Sequence, residues 1–214
     1  KYSFSKQQAS ALQQSIDLAV RHHSAGRLSE AESIYHQILQ KDANHPVALH
    51  LLGVIAFQMG QNDVAVDHIT KALEVKPDYV EAHCNLGLAL QSLGNLEKAV
   101  ASYDKALALK PDYTEALNNQ ANALQDLGRL EEAVTSYRKA LDLKPDLAEA
   151  HNNLGSALVD LGKLNEAVAS FSKVFAINPN YANAHYNLGT ALLGLGRLDD
   201  AVIHYHKALA IKPG

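Results

Sequence analysis

Pro77, Pro111, Pro145, Pro179 and Pro213 stand 34 residues apart, and nothing else in the chain limits its fold so sharply. That period belongs to repeats of two helices and two turns, in which each unit buries its apolar side against its neighbours. Two further columns keep the same step. Gly26, Gly60, Gly94, Gly128, Gly162 and Gly196 form one, and Ala31, Ala65, Ala99, Ala133, Ala167 and Ala201 the other. The expected architecture is all-α. Six helix-turn-helix repeats, at about 12–45, 46–79, 80–113, 114–147, 148–181 and 182–214, stack as one array over 1–214, with 1–11 extending the first helix.

Each column has a physical task. The glycines end apolar-periodic stretches such as Ala82 to Leu93, where a left-handed residue must stop the helix and turn the chain. The alanines sit where the helices of a hairpin cross. Bulk follows one turn on, from Tyr35, Tyr103, Tyr137, Phe171 and Tyr205, with Ile69 the one substitute. After the prolines, Asp78 with Glu81, Asp112 with Glu115 and Asp146 with Glu149 have the spacing of a capping box. The first repeat is weaker: Ala43 replaces its proline, and Ser5 with Gln8 is expected to cap a longer first helix from Lys6 to Ala25.

Composition narrows the function. With 47% hydrophobic and 20% charged residues the chain can bury a core, which a disordered chain cannot. The net charge of −4, with scattered Lys and Arg, gives no footprint for nucleic acid. No apolar run is long enough for membrane insertion. A lone Cys84 cannot form an internal disulfide, which fits a cytoplasmic setting. The chain starts at Lys1 without methionine and stops at Gly214 just after a repeat-ending proline, so it reads as an excised fragment.

Catalytic signatures are missing, so no catalytic residue, cofactor or metal is assigned and the chain is not expected to be an enzyme. Gly194-Leu195-Gly196 is a fragment of a dinucleotide fingerprint with no strand before it, and reads as a helix-ending turn. Among eleven histidines, His83, His151 and His185 share a column, but positions one repeat apart in it lie about 10 Å apart, already too far to share one ion. Packed interhelical histidines are the simpler reading. His22-His23 and His204-x-His206 are more open candidates.

One column resists a packing explanation. Asn85, Asn119, Asn153 and Asn187 recur inside the first helix of the third to sixth repeats, where asparagine is a poor helix former. Asn118, Asn152 and Asn122 thicken the strip. Two accounts stand. These amides bond to neighbouring turns, or they hold a ligand: a primary amide offers both donor and acceptor, the complement of a peptide unit, so a row of them can grip an extended chain by its backbone.

Gly87, Gly155 and Gly189 in the first helix, Ala99 and Ala106 in the second, and Pro111 at the end resemble the tetratricopeptide repeat family over nearly the whole chain. The resemblance implies a right-handed superhelix, first helices lining a concave groove and second helices forming the back. The ladder itself is similar to that in the repeats preceding the catalytic domain of O-linked N-acetylglucosamine transferases and their SPINDLY-type relatives.

That resemblance implies a protein-protein interaction scaffold binding extended peptide, as the substrate-recruiting arm of a larger glycosyltransferase-like protein. The alternatives are a stand-alone adaptor for assembly, secretion or organelle biogenesis, and the repeat region of another transferase such as a sulfotransferase. In the second repeat Leu51 breaks the ladder, and His50, Val54 and Phe57, with Ile16 and Val20 behind, are expected to make that part of the groove apolar. Glu81, Glu115 and Glu149 would repel a C-terminal carboxylate, which argues against a chaperone-tail clamp. The last helix carries Val202, Tyr205 and Leu209 at three- and four-residue spacing, so self-association through this uncapped C-terminal helix is expected.

Overall fold

The computed structural model describes residues 6–212, so the Ser5–Gln8 cap and the Pro213 turn lie outside the described residues. The fold is all-helical, with twelve α-helices and no strand among the described residues. The chain forms two compact units, divided between Leu109 and Lys110.

The first unit holds α1 (Lys6–Ser24), α2 (Leu28–Lys41), α3 (Pro46–Gln58), α4 (Asn62–Val75), α5 (Val80–Ser92) and α6 (Leu96–Leu109). Its hairpins are α1/α2, α3/α4 and α5/α6, and α2 and α4 each pack on the helix that follows. The second unit holds α7 (Thr114–Asp126), α8 (Leu130–Leu143), α9 (Ala148–Asp160), α10 (Leu164–Ile177), α11 (Ala182–Gly194) and α12 (Leu198–Ile211). There α9 also touches both α7 and α11, so the first helices of its three hairpins stand side by side.

The turns form as the glycine column predicts. Gly94 has φ 74°, its N–H bonds to Gln91 O at 2.9 Å, and the next N–H, of Asn95, reaches Leu90 O at 2.9 Å. These two bonds satisfy carbonyls that a helix end would otherwise leave open, and they require the left-handed residue. All six glycines of that column share the conformation.

The hairpin contact is equally specific. Ala31, Ala65, Ala99, Ala133, Ala167 and Ala201 are buried, as are Tyr35, Tyr103, Tyr137 and Phe171. A methyl group added at Gly87 would lie 2.5 Å from the Tyr103 ring, so the mid-helix glycine is absent bulk, and the ring fills the room it leaves.

Two local expectations fail. The capping boxes do not form: α5, α7 and α9 begin one residue later than the acidic spacing implies, with Tyr79, Tyr113 and Leu147 at the N-cap and no side-chain cap bond at any of them. The turn through Pro77, closed by Tyr79 N–H to Lys76 O at 3.3 Å, moves Asp78 outside the helix. His50 does not line an apolar groove with Val54 and Phe57. It is buried, 4% exposed, and polar in its contacts.

Candidate functional site

Four of the seven strip asparagines meet in the second unit. Asn187 Nδ2 on α11 donates to Asn152 Oδ1 on α9 at 3.1 Å, Asn152 Nδ2 to Asn153 Oδ1 at 3.2 Å, and Asn153 Nδ2 to Asn122 Oδ1 on α7 at 3.1 Å. Tyr137 Oη on α8 closes the relay, donating to the same Asn122 oxygen at 2.6 Å and lying 3.1 Å from Gln125 Oε1. Burial, then the nearby carboxylates of Asp126 and Glu149, push the Tyr137 phenol well up, so it stays a donor.

Asn122, Asn153 and Asn187 are half-buried, whereas Asn152 is 7% exposed and belongs to the core. Asn118 and Asn119 stand outside the relay. Asn118 lines a groove of about 280 Å³ with Thr114, Glu115, Lys144, Leu147 and Glu149, and its Oδ1 is buried without a partner. Helices α7, α9 and α11 carry Glu115, Asp126, Glu149 and Asp160 but no Lys or Arg. Their polar face therefore combines amides with negative charge.

In the first unit, Asn85 Nδ2 donates to His50 Nε2 at 2.8 Å. The amide nitrogen cannot accept, so the ring proton sits on Nδ1 and is given to Tyr79 Oη at 2.9 Å. Burial lowers the His50 pKa to about 4, against the upward pull of Glu81. Cys84, on the same helix as Asn85, is buried.

The histidine column has a role that its spacing did not reveal. His83 Nε2 donates to Pro77 O at 2.8 Å, His151 Nε2 to Pro145 O at 3.0 Å and His185 Nε2 to Pro179 O at 3.2 Å. Each ring ties its helix to the preceding turn. His185 Nδ1 is thereby left as an acceptor, and His204 Nδ1 donates to it at 3.0 Å. Phe175 stacks on the His185 ring with centroids 4.1 Å apart. His23 Nε2 pairs with Gln58 Oε1 at 2.9 Å, and His22 Nδ1 accepts from Arg27 Nε at 3.0 Å. Among the described residues no group of three or more His, Cys, Asp or Glu has the spacing of a metal site.

The sequence columns single out Tyr137 only as bulk and give no sign of the part played by Tyr79. The available signal was that Phe171 and Ile69 share the Tyr137 column, so a hydroxyl there is more than packing requires.

Family models for the TPR repeat match residues 53–94, 121–162 and 155–196; those for the tetratricopeptide repeat match 80–113, 182–214 and 102–135. The chain belongs to the tetratricopeptide repeat family. No curated protein sequence matches it. Among solved tetratricopeptide and related structures, MamA is 25% identical, with 78% of this chain and 92% of that chain covered and a TM-score of 0.73. YrrB, described as a TPR protein with an unusual peptide-binding site, is 21% identical over 84% and 92%, also at 0.73. Pseudomonas aeruginosa PilF is 16% identical over 98% and 95%, at 0.84. Family and fold make this tetratricopeptide chain a protein-interaction scaffold. No described helix is long and apolar enough to cross a membrane.

Proposed function

We propose that the chain holds an extended polypeptide against the first helices of its repeats, with side-chain amides as the grip. The observation that carries this reading is the chemistry of the second unit's strip. Asn122, Asn153 and Asn187 are half-buried, and each keeps hydrogen-bonding capacity that the relay does not use. A surface of this kind recognises backbone and tolerates varied side chains. The peptide-binding site attributed to YrrB adds support from the same fold.

The relay consumes one N–H each from Asn153 and Asn187, so fewer bonds remain than a fully free ladder would offer. At roughly 0.5–1.5 kcal/mol net per bond, less the cost of ordering the ligand, affinity falls in the micromolar range or weaker. Replacing Asn85, Asn119, Asn153 and Asn187 together by Ala is the direct test. Binding of a capped, uncharged peptide of Ser, Thr and Val should vanish while helicity is retained, and undiminished binding would sink the reading.

The likeness of the ladder to that of O-linked N-acetylglucosamine transferases supports a role in bringing substrates to a modifying enzyme. The likeness to MamA, covered over 92% of its length, favours instead a scaffold that acts as an adaptor by itself. The gene beyond Gly214 discriminates between them: a nucleotide-sugar-binding domain supports the first and a stop codon the second.

A further inference from the structure

Within the second unit, the position of Tyr137 is filled in the next repeat by Phe171, and both rings are fully buried. Packing is therefore satisfied without a hydroxyl. The Tyr137 hydroxyl nevertheless makes the shortest bond of the relay, 2.6 Å to Asn122 Oδ1, where Asn153 Nδ2 also arrives at 3.1 Å.

A primary amide has two N–H groups and two lone pairs. Both Asn122 lone pairs are taken, so this residue can offer a ligand only its N–H groups. Asn153 has given one N–H and accepted one bond, from Asn152 at 3.2 Å, and retains one of each. Asn187 has given one N–H and keeps both lone pairs. Spare capacity therefore changes from donor on α7, through mixed on α9, to acceptor-rich on α11. The amide bonds run in one direction, from Asn187 to Asn152 to Asn153 to Asn122, so turning one amide over would set donor against donor or acceptor against acceptor at its neighbour.

We propose that Tyr137 is the positioning residue of this strip. Its proton fixes the orientation of Asn122, and through the relay that of Asn153, Asn152 and Asn187. The unit then selects an extended main chain that brings a carbonyl to Asn122 and an N–H to Asn187. This rests on the peptide-binding reading above, but the relay itself can be tested without any ligand.

The experiment compares wild type with Tyr137→Phe, a substitution for which Phe171 shows the fold has room. Side-chain amide proton exchange at Asn122, Asn153 and Asn187 is followed by ¹⁵N NMR, and affinity is measured with the capped Ser/Thr/Val peptide and with the same peptide N-methylated along its backbone. The melting temperature should stay near wild type, exchange at Asn153 should quicken, and affinity should fall roughly two- to tenfold, the worth of one hydrogen bond. N-methylation should weaken binding to wild type. Unchanged exchange would overturn the relay; altered exchange with unchanged affinity would overturn the positioning role. If wild type binds neither peptide, the functional reading falls and the positioning role with it, while the exchange data still decide whether the relay exists.

Discussion

Asn85 donates from Nδ2 to His50 Nε2 at 2.8 Å, a bond that exists only while the imidazole is neutral. Burial holds the His50 pKa at about 4 in the folded chain, against an ordinary value of 6.5. Between those values the unfolded chain binds a proton that the folded chain refuses. The contribution to stability is complete above pH 6.5, declines as pH falls, and is gone below about 4; it is on the order of 3 kcal/mol. His45, His68, His185 and His204 are also held below the ordinary value, mainly by burial, so wild type alone does not isolate the contribution of His50. Denaturant unfolding from pH 4 to 7 should show a shallower pH slope in His50→Leu than in wild type. Equal slopes would mean that His50 titrates normally.

The alanine column should be intolerant of bulk. Ala133 is fully buried at the α7/α8 crossing, so Ala133→Leu should cost about 1–3 kcal/mol. Ser156 is half-buried, and Leu88 holds the equivalent place in the third repeat, so Ser156→Leu should cost much less. Thermal melts of the two variants check this, and equal melting temperatures would contradict the packing assignment.

The histidine-to-proline bonds should be worth little more than themselves. Leu49 and Leu117 occupy the column of His151, so leucine fits the space. His151→Leu should lose roughly 0.5–1.5 kcal/mol, the net value of its bond to Pro145 O. A loss of several kcal/mol by denaturant titration would show that the ring also supports the packing.

The outer face of α12 should drive self-association. Leu198 is 59% exposed, Val202 52%, Ile203 51% and Leu209 59%, and Leu209 borders a groove of about 440 Å³ with Tyr186 and Tyr205. Light scattering should show a mass that rises with concentration, and Leu209→Glu should restore the monomer. A wild-type chain that stays monomeric at hundreds of micromolar would refute this.

What the sequence determined by itself is everything that repeats locally. The 34-residue step, the two helices per repeat and the glycine turns were legible, because helix periodicity and a positive φ are properties of neighbouring residues. Even locally, register could mislead: Asp78 and Glu81 have capping-box spacing, but the proline turn starts the helix one residue later. The asparagines were visible as a column, yet their partners were not. Asn153 bonds to Asn122, 31 residues back, whereas Asn187 bonds to Asn152, 35 back, and Asn85 finds a histidine at that same distance. Which of these occurs depends on the axial offset between packed first helices and on the length of the side chain each meets. That offset follows from how each hairpin closes, as where the Tyr103 ring of α6 fills the room over Gly87 of α5, and from how successive hairpins then pack, and only the assembled tertiary structure decides it.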